Sequence, residues 1–166
     1  MSNTLRWFSV LTALLAVATI FPPGEAAAQD LGLRAYGIRL GAALEDDPQV
    51  LVGGHADLGR LAPDLRLQPL FTVGAGSDAL TFLLGGEAHY LFPVEADASV
   101  LPYVGGGVGV HHVEPDEGDG DTEVALLVAG GVDVPVERWW SWFAEGRFVI
   151  ADDTTFRAEA GINWTY

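Results

Sequence analysis

The last residues of this chain alternate without exception. Phe156, Ala158, Ala160, Ile162, Trp164 and Tyr166 fall on one parity, and Thr155, Arg157, Glu159, Gly161, Asn163 and Thr165 on the other. Successive side chains of a β-strand point to opposite faces, so this stretch reads as a strand with one apolar face and one polar or small face. The pattern returns in residues 139–150, where Trp140, Trp142, Ala144, Gly146, Phe148 and Ile150 oppose Trp139, Ser141, Phe143, Glu145, Arg147 and Val149. It recurs in 64–75 and 79–92, and more weakly in 31–42, 50–60, 98–113 and 122–136. Gly, Pro and acidic clusters near 45–48, 61–64, 74–78, 93–97, 114–121, 135–138 and 151–153 divide the chain into eight such segments. Their length suits a tilted membrane-spanning strand of about 9–11 residues with its ends better than a soluble strand of about 5–6.

Alternation fits two solvents: a soluble sheet buries its apolar face, whereas a membrane barrel turns that face to lipid. The polar parity separates the two. It holds Arg39, Asp57, Arg66, Glu87, Glu123, Glu145, Arg147, Arg157 and Glu159, joined by His55 and His89, and it is rich in glycine. A water-facing sheet has no need of glycine there, but a narrow interior wants small residues and charges of both signs that can pair. Lipid leaves no partner for an open strand edge, so the strands must close on themselves. The expected fold is all-β, an eight-stranded antiparallel up-and-down transmembrane β-barrel. A soluble barrel with a lipocalin-like ligand cavity is the architectural rival.

Residues 1–28 place Arg6 before an apolar run from Trp7 to Phe21, then Pro22-Pro23-Gly24 and Ala26-Ala27-Ala28. That is the layout of a secretory signal peptide cleaved after Ala28, with the barrel domain occupying 29–166. The run is short of the roughly 20 apolar residues of a spanning helix. The eight basic residues are all arginines, against 23 acids, for a net charge of −15. Nucleic acid as a partner is excluded on that balance. The absence of cysteine removes disulfides, thiolate zinc sites and cysteine nucleophiles.

If both termini lie in the periplasm, the periplasmic strand ends carry Tyr90, Phe92, Tyr103, Trp140, Trp142, Trp164 and Tyr166. The opposite ends carry Phe71, Phe82, Phe148 and Phe156. These are two candidate interfacial girdles. The most acidic connections, at 45–47, 114–121 and 152–153, fall on the outer side, and the longest of the external ones is expected at 114–121.

Three stretches carry a resemblance: Leu101-Pro102-Tyr103-Val104-Gly105-Gly106-Gly107-Val108-Gly109-Val110, Ala144-Glu145-Gly146-Arg147-Phe148, and the aromatic terminus Ile162-Asn163-Trp164-Thr165-Tyr166. They resemble the small outer-membrane β-barrel family of Gram-negative bacteria, the OmpA/OmpX-like group. The likeness implies an outer-membrane location, contact with membrane lipid and lipopolysaccharide, and recognition by the barrel assembly machinery. It further implies that Ile162, Trp164 and Tyr166 form the C-terminal assembly signal, with Tyr where the family usually has Phe. The family hosts adhesion, structural, pore and enzyme functions, so the resemblance carries no single activity.

The interior charges Arg39, Asp57, Arg66, Glu87, Glu145, Arg147, Arg157 and Glu159 are expected to form a network, with the last four laddered across the final two strands. Such a network reads as a structural plug or as a selectivity ring in a narrow channel. His111 and His112 adjoin the acidic run Glu114 to Asp121, but adjacent strand residues face opposite ways and cannot easily share one ion. That run reads as a solvated loop, with divalent cations or lipopolysaccharide as the functional alternative. Ser77, Ser99 and Ser141 lie in no nucleophile elbow, and the glycine run 105–109 has no helix after it to make a phosphate site. Glu87 and His89 suit a hydrogen bond. No enzyme, cofactor or metal is expected, and a lipid-modifying activity is the remaining enzymatic alternative.

Overall fold

The computed structural model describes residues 31–44, 47–95 and 98–166. The expected signal peptide, and Glu45, Asp46 and Asp97 of the expected turns, lie outside the described residues. Eight antiparallel strands form one closed barrel in chain order: β1 (Leu31–Leu44), β2 (Gln49–Ala62), β3 (Leu65–Ala75), β4 (Ala79–Leu91), β5 (Leu101–Pro115), β6 (Asp121–Glu137), β7 (Trp140–Ile150) and β8 (Thr154–Thr165). Closure is made by β1 against β8, from Ala35 opposite Thr165 to Leu44 opposite Phe156. Every strand therefore has two neighbours, which is what a spanning sheet in hydrocarbon requires.

The parity read from the sequence is the parity of the wall. In β8 Thr155, Arg157, Glu159 and Asn163 are buried while Ala158 and Ala160 are exposed, and in β7 Phe143, Glu145, Arg147 and Val149 are buried while Trp142, Phe148 and Ile150 are exposed. The outside is apolar: Leu40, Val52, Leu84, Val108 and Leu126 all stand open. Inside, Leu70, Leu83, Ala125, Leu127 and Val149 pack into a small apolar cluster. It sits nearer the end bearing the β1–β2, β3–β4, β5–β6 and β7–β8 connections, here called the loop end. None of the arginines lies in those connections, which carry acids only among their charged residues. At that end Asp47 ties two connections together, accepting from Ser77 Oγ at 2.7 Å and Ser77 N at 3.2 Å. Those bonds hold the Asp47 carboxyl below the usual carboxylate range. An NMR pH titration of Ser77→Ala should therefore find the Asp47 midpoint moved up.

The connection expected at 114–121 is the longest at the loop end, as read from the sequence, but it is shorter than its acidic run. Strands β5 and β6 run on to Pro115 and Asp121, so only 116–120 connect them. At the opposite end, with the chain termini, the connection 92–100 is longer still. The regular ladder also breaks between β2 and β3, at a point the alternation alone does not mark. Between the pairs His55–Leu70 and Arg60–Arg66, four β2 residues face three of β3. Pro69 lies in this stretch and has no N–H to give, and Gly59 takes a left-handed φ of 90°. Both are ordinary makers of a bulge.

Adjacent glycines on β5 have opposite reasons to be there. A Cβ on Gly107 would collide with the Gly86 carbonyl oxygen and stand 2.8 Å from Glu87 Cα, whereas one on Gly106 would meet nothing nearer than the Leu127 oxygen at 3.5 Å. Gly107→Ala is expected to cost about 1–3 kcal/mol through backbone overpacking. Gly106→Ala is expected to gain about 0.5–1 kcal/mol, since glycine in a strand costs chain entropy. Equilibrium urea unfolding of the two variants in lipid vesicles measures both signs.

Candidate functional site

The inward parity of all eight strands converges on one polar assembly, and its centre is Arg147 of β7. Its guanidinium donates to Glu87 of β4 from Nε at 2.8 Å and Nη2 at 3.0 Å, to Glu145 of its own strand at 2.6 Å, and to Glu159 of β8 at 2.7 Å. Arg39 of β1 reaches the same acids, Glu159 at 2.7 Å and Glu145 at 3.3 Å. Charges this deep would carry a large desolvation cost alone, and here each carboxylate touches at least one arginine.

From both arginines the hydrogen bonds run on until they meet. Arg39 Nε donates to His55 Nδ1 at 3.4 Å, and His55 Nε2 lies 2.6 Å from Asn163 Oδ1. Asn163 Nδ2 donates to Asp133 Oδ1 at 3.3 Å, and Asp133 Oδ2 accepts from Arg66 Nη1 at 2.8 Å. Arg66 Nη2 lies 3.2 Å from His89 Nδ1, and His89 Nε2 lies 2.9 Å from Glu87, which returns to Arg147. The result is a closed circuit through β1, β2, β8, β6, β3, β4 and β7. Strand β5 joins through Tyr103, whose hydroxyl donates to Glu145 at 2.8 Å. An arginine N–H can only donate, so the histidine nitrogen it meets must accept; His55 and His89 each carry their proton on Nε2 and donate it in hydrogen bonds to Asn163 Oδ1 and Glu87.

The sequence-level site is therefore mostly brought together, with differences. Glu145 stands opposite Glu159 and Arg147 opposite Arg157, so the expected four-residue ladder would have set like charges against each other. Arg147 avoids this by reaching diagonally to Glu159, and Arg39 enters from β1 to hold the two glutamates. Arg157 leaves the assembly and donates instead to Thr72 Oγ1 at 3.1 Å, with Nη2 3.1 Å from His111 Nε2, nearer the loop end. Asp57 is also apart from the circuit: its carboxylate accepts from Gly59 N at 2.7 Å, beside the bulge. Asp133, buried and indispensable to the circuit, is an addition. Among the described residues the buried charges are Arg39, Arg66, Arg147 and Arg157 against Glu87, Glu145, Glu159 and Asp133, four of each sign.

Glu87, His89 and Glu145 bring ligand-type atoms within 4.8 Å of one another. Arg147 already occupies both carboxylates, and an ion there would have to displace a guanidinium. Outside, His112 bonds Thr122 Oγ1 at 2.7 Å and Glu114 at 3.1 Å, while His111 points inward, so the two histidines do separate to opposite faces.

The fold has solved counterparts. The chain is similar to Neisserial surface protein A at 18% identity and TM-score 0.65, over 80% of this chain and 95% of that one. It is similar to the N-terminal β-barrel domain of Pseudomonas aeruginosa OprF at 15% identity and TM-score 0.65, over 81% and 99%. Ail, the attachment invasion locus protein of Yersinia pestis, matches at 12% identity and TM-score 0.54, over 81% and 97%. The fold is that of the small eight-stranded outer-membrane barrels. No protein-family model and no curated protein sequence matches the chain.

Small outer-membrane barrels carry aromatic residues at the two membrane interfaces. Here Tyr90, Phe92, Trp142 and Tyr166 are exposed, and Trp140 and Trp164 half-buried, around the terminus end, with Phe71, Phe82 and Phe148 exposed toward the loop end. Tyr36 extends the set, packing on Trp164 and Tyr166 at 5.6 and 5.7 Å across the β1–β8 seam. Ile162 and Trp164 of the expected assembly signal share the outward parity of β8. Tyr103 is the correction. It is 4% exposed, its ring stacks on His89 at 4.8 Å, and its parity is that of the inward glycines Gly105, Gly107 and Gly109, so its hydroxyl braces the interior instead of anchoring an interface. Tyr103→Phe removes a hydrogen bond to a charged acceptor and is expected to cost about 1.5–3 kcal/mol in urea unfolding.

Proposed function

We propose that this chain is an exported, integral outer-membrane barrel with a structural or envelope-interaction role, its interior closed to solute by the polar circuit and the apolar cluster beneath the loop end. The observation that carries this reading is the circuit itself: a cross-brace tied to all eight strands occupies the space that a conducting path would need. Eight-stranded barrels are just wide enough for side chains to fill them. Export is assigned to the signal-peptide layout of residues 1–28. The partners that follow are outer-membrane lipid, lipopolysaccharide on the acidic loop end through divalent cations, and the barrel assembly machinery through Ile162, Trp164 and Tyr166. The role is non-catalytic, because each glutamate and histidine of the circuit is already engaged in bracing.

The test is fractionation followed by electrophoresis and bilayer recording. The protein is expected in the carbonate-washed outer-membrane pellet, to change mobility in SDS on boiling, and to leave a planar bilayer silent at all voltages. Recovery in the soluble wash without a mobility shift would return the apolar face to a soluble sheet. A steady conductance altered by Arg147→Ala would replace the closed barrel by a narrow channel.

A further inference from the structure

The β5–β6 connection is tied at its two ends and bare between them. Asp116 N donates to Asp78 O at 2.9 Å, and Asp121 Oδ1 accepts from Thr122 N at 2.8 Å where β6 begins. Between these ties Asp119 and Gly120 are exposed and belong to no strand. The Asp119 carboxylate has no hydrogen-bond or ion-pair partner among the described residues. Gly118 makes the turn, with its left-handed φ of 112°, so the turn does not call for a glycine at 120.

Asp119 is the one aspartate of the chain followed by glycine. That neighbour matters because the next peptide nitrogen can attack an aspartyl carboxyl carbon when nothing crowds it, and glycine has no Cβ to crowd it. At the other described aspartates the next residue carries a side chain, or, after Asp47, is a proline with no N–H. Asp121 is the nearest comparison: it is equally exposed, but Thr122 behind it is β-branched and already paired within β6. The β5–β6 ladder ends with Val113 opposite Asp121, so Asp119 and Gly120 lie beyond its last pair.

We propose that Asp119–Gly120 is a site of spontaneous covalent modification, aspartate to isoaspartate, at the loop end of the folded barrel. The Gly120 nitrogen bonds to Asp119 Cγ, and its proton leaves with the carboxyl OH as water, closing a succinimide ring. Water then adds to one of the two ring carbonyls. Opening at Cγ restores aspartate. Opening at the main-chain carbonyl leaves Gly120 joined through Cγ, so the backbone is longer by one methylene and the free carboxylate sits on the main-chain carbon. Nothing is oxidised or reduced, the water lost is the water regained, and the net charge is unchanged. The site does not depend on which solvent surrounds the barrel wall.

The experiment holds the folded protein in detergent micelles at neutral pH and body temperature for several weeks, with heat-dependent mobility certifying the fold. Cleavage after Glu117 and Glu123 releases Gly118–Glu123, which carries both Asp119 and Asp121, and electron-transfer fragmentation tells isoaspartate from aspartate at each. Isoaspartate is expected to accumulate at Asp119 and to stay at its starting level at Asp121. Gly120→Ala should slow the gain severalfold. Its Cβ would come nearest to Glu114 Oε2, at 2.7 Å, the end of an exposed and flexible side chain, so the variant should fold. Asp119→Asn reaches the same ring by losing ammonia in place of water and should convert faster than the parent. No gain at Asp119 in the folded parent, equal gain at Asp121, or a folded Asp119→Asn barrel that stays unconverted, overturns the proposal.

Discussion

Replacing Arg147 by alanine is expected to lower unfolding stability by about 3–5 kcal/mol, the cost of leaving buried charge without its partner. The expectation rests on count and place. Arg147 is wholly buried and holds three glutamates, Glu87, Glu145 and Glu159, all within 3.0 Å. Without it Glu87 keeps His89, Glu145 keeps the Tyr103 hydroxyl, and Glu145 and Glu159 share Arg39 as their one cation. Urea unfolding in vesicles measures the loss, and Arg138→Ala, an exposed arginine in the β6–β7 turn, is the control expected to stay within about 0.5 kcal/mol. A loss for Arg147→Ala no larger than the control would mean that the circuit does not hold the barrel. Arg39→Ala combined with Arg147→Ala should depart from additivity, since the two share Glu145 and Glu159.

Val108→Arg is expected to cost about 2–4 kcal/mol in a bilayer, through charge placed on the lipid face at mid-depth. Val108 pairs with Gly86, midway along β4 between Phe82 and Tyr90, and stands outward and open. The value of this variant lies in what the alternative solvent predicts. On a water-facing sheet, arginine in place of an exposed valine should change stability by no more than about 0.5 kcal/mol. One substitution, measured by vesicle unfolding, therefore separates the two solvents that alternation alone leaves open.

Alternation is legible because a strand's period of two is set by covalent geometry, and β3, β4, β7 and β8 obey it with residues of strong contrast. Asp133 escaped because β6 shows its interior Ala125, Leu127, Ala129 and Gly131, too apolar to contrast with an outside of Val124, Leu126 and Val128. Counting the parity from Glu123 would have reached it. Tyr103 was misread by its position near a strand end, although the glycine parity beside it points inward. Partner choice was beyond the sequence for a different reason. Long side chains such as Arg147 and Arg39 select acids across the lumen, and which acids lie within reach depends on the register of closure, seen only once β1 meets β8. The β2–β3 bulge had its signals in Gly59 and Pro69, but nothing in either tells how far apart the strands will part.

The balance of buried charge divides the molecule's response to electrolyte. Among the described residues four buried arginines and four buried acids cancel, so their excess of acid lies outside that buried set, most one-sidedly at the loop end. Mobile ions screen exposed charges over about 8–10 Å at ordinary salt but act far less on pairs that water does not reach. Ionic strength consequently has one address on this barrel: adding salt should quiet the repulsion around the rim while the brace at its centre stays indifferent.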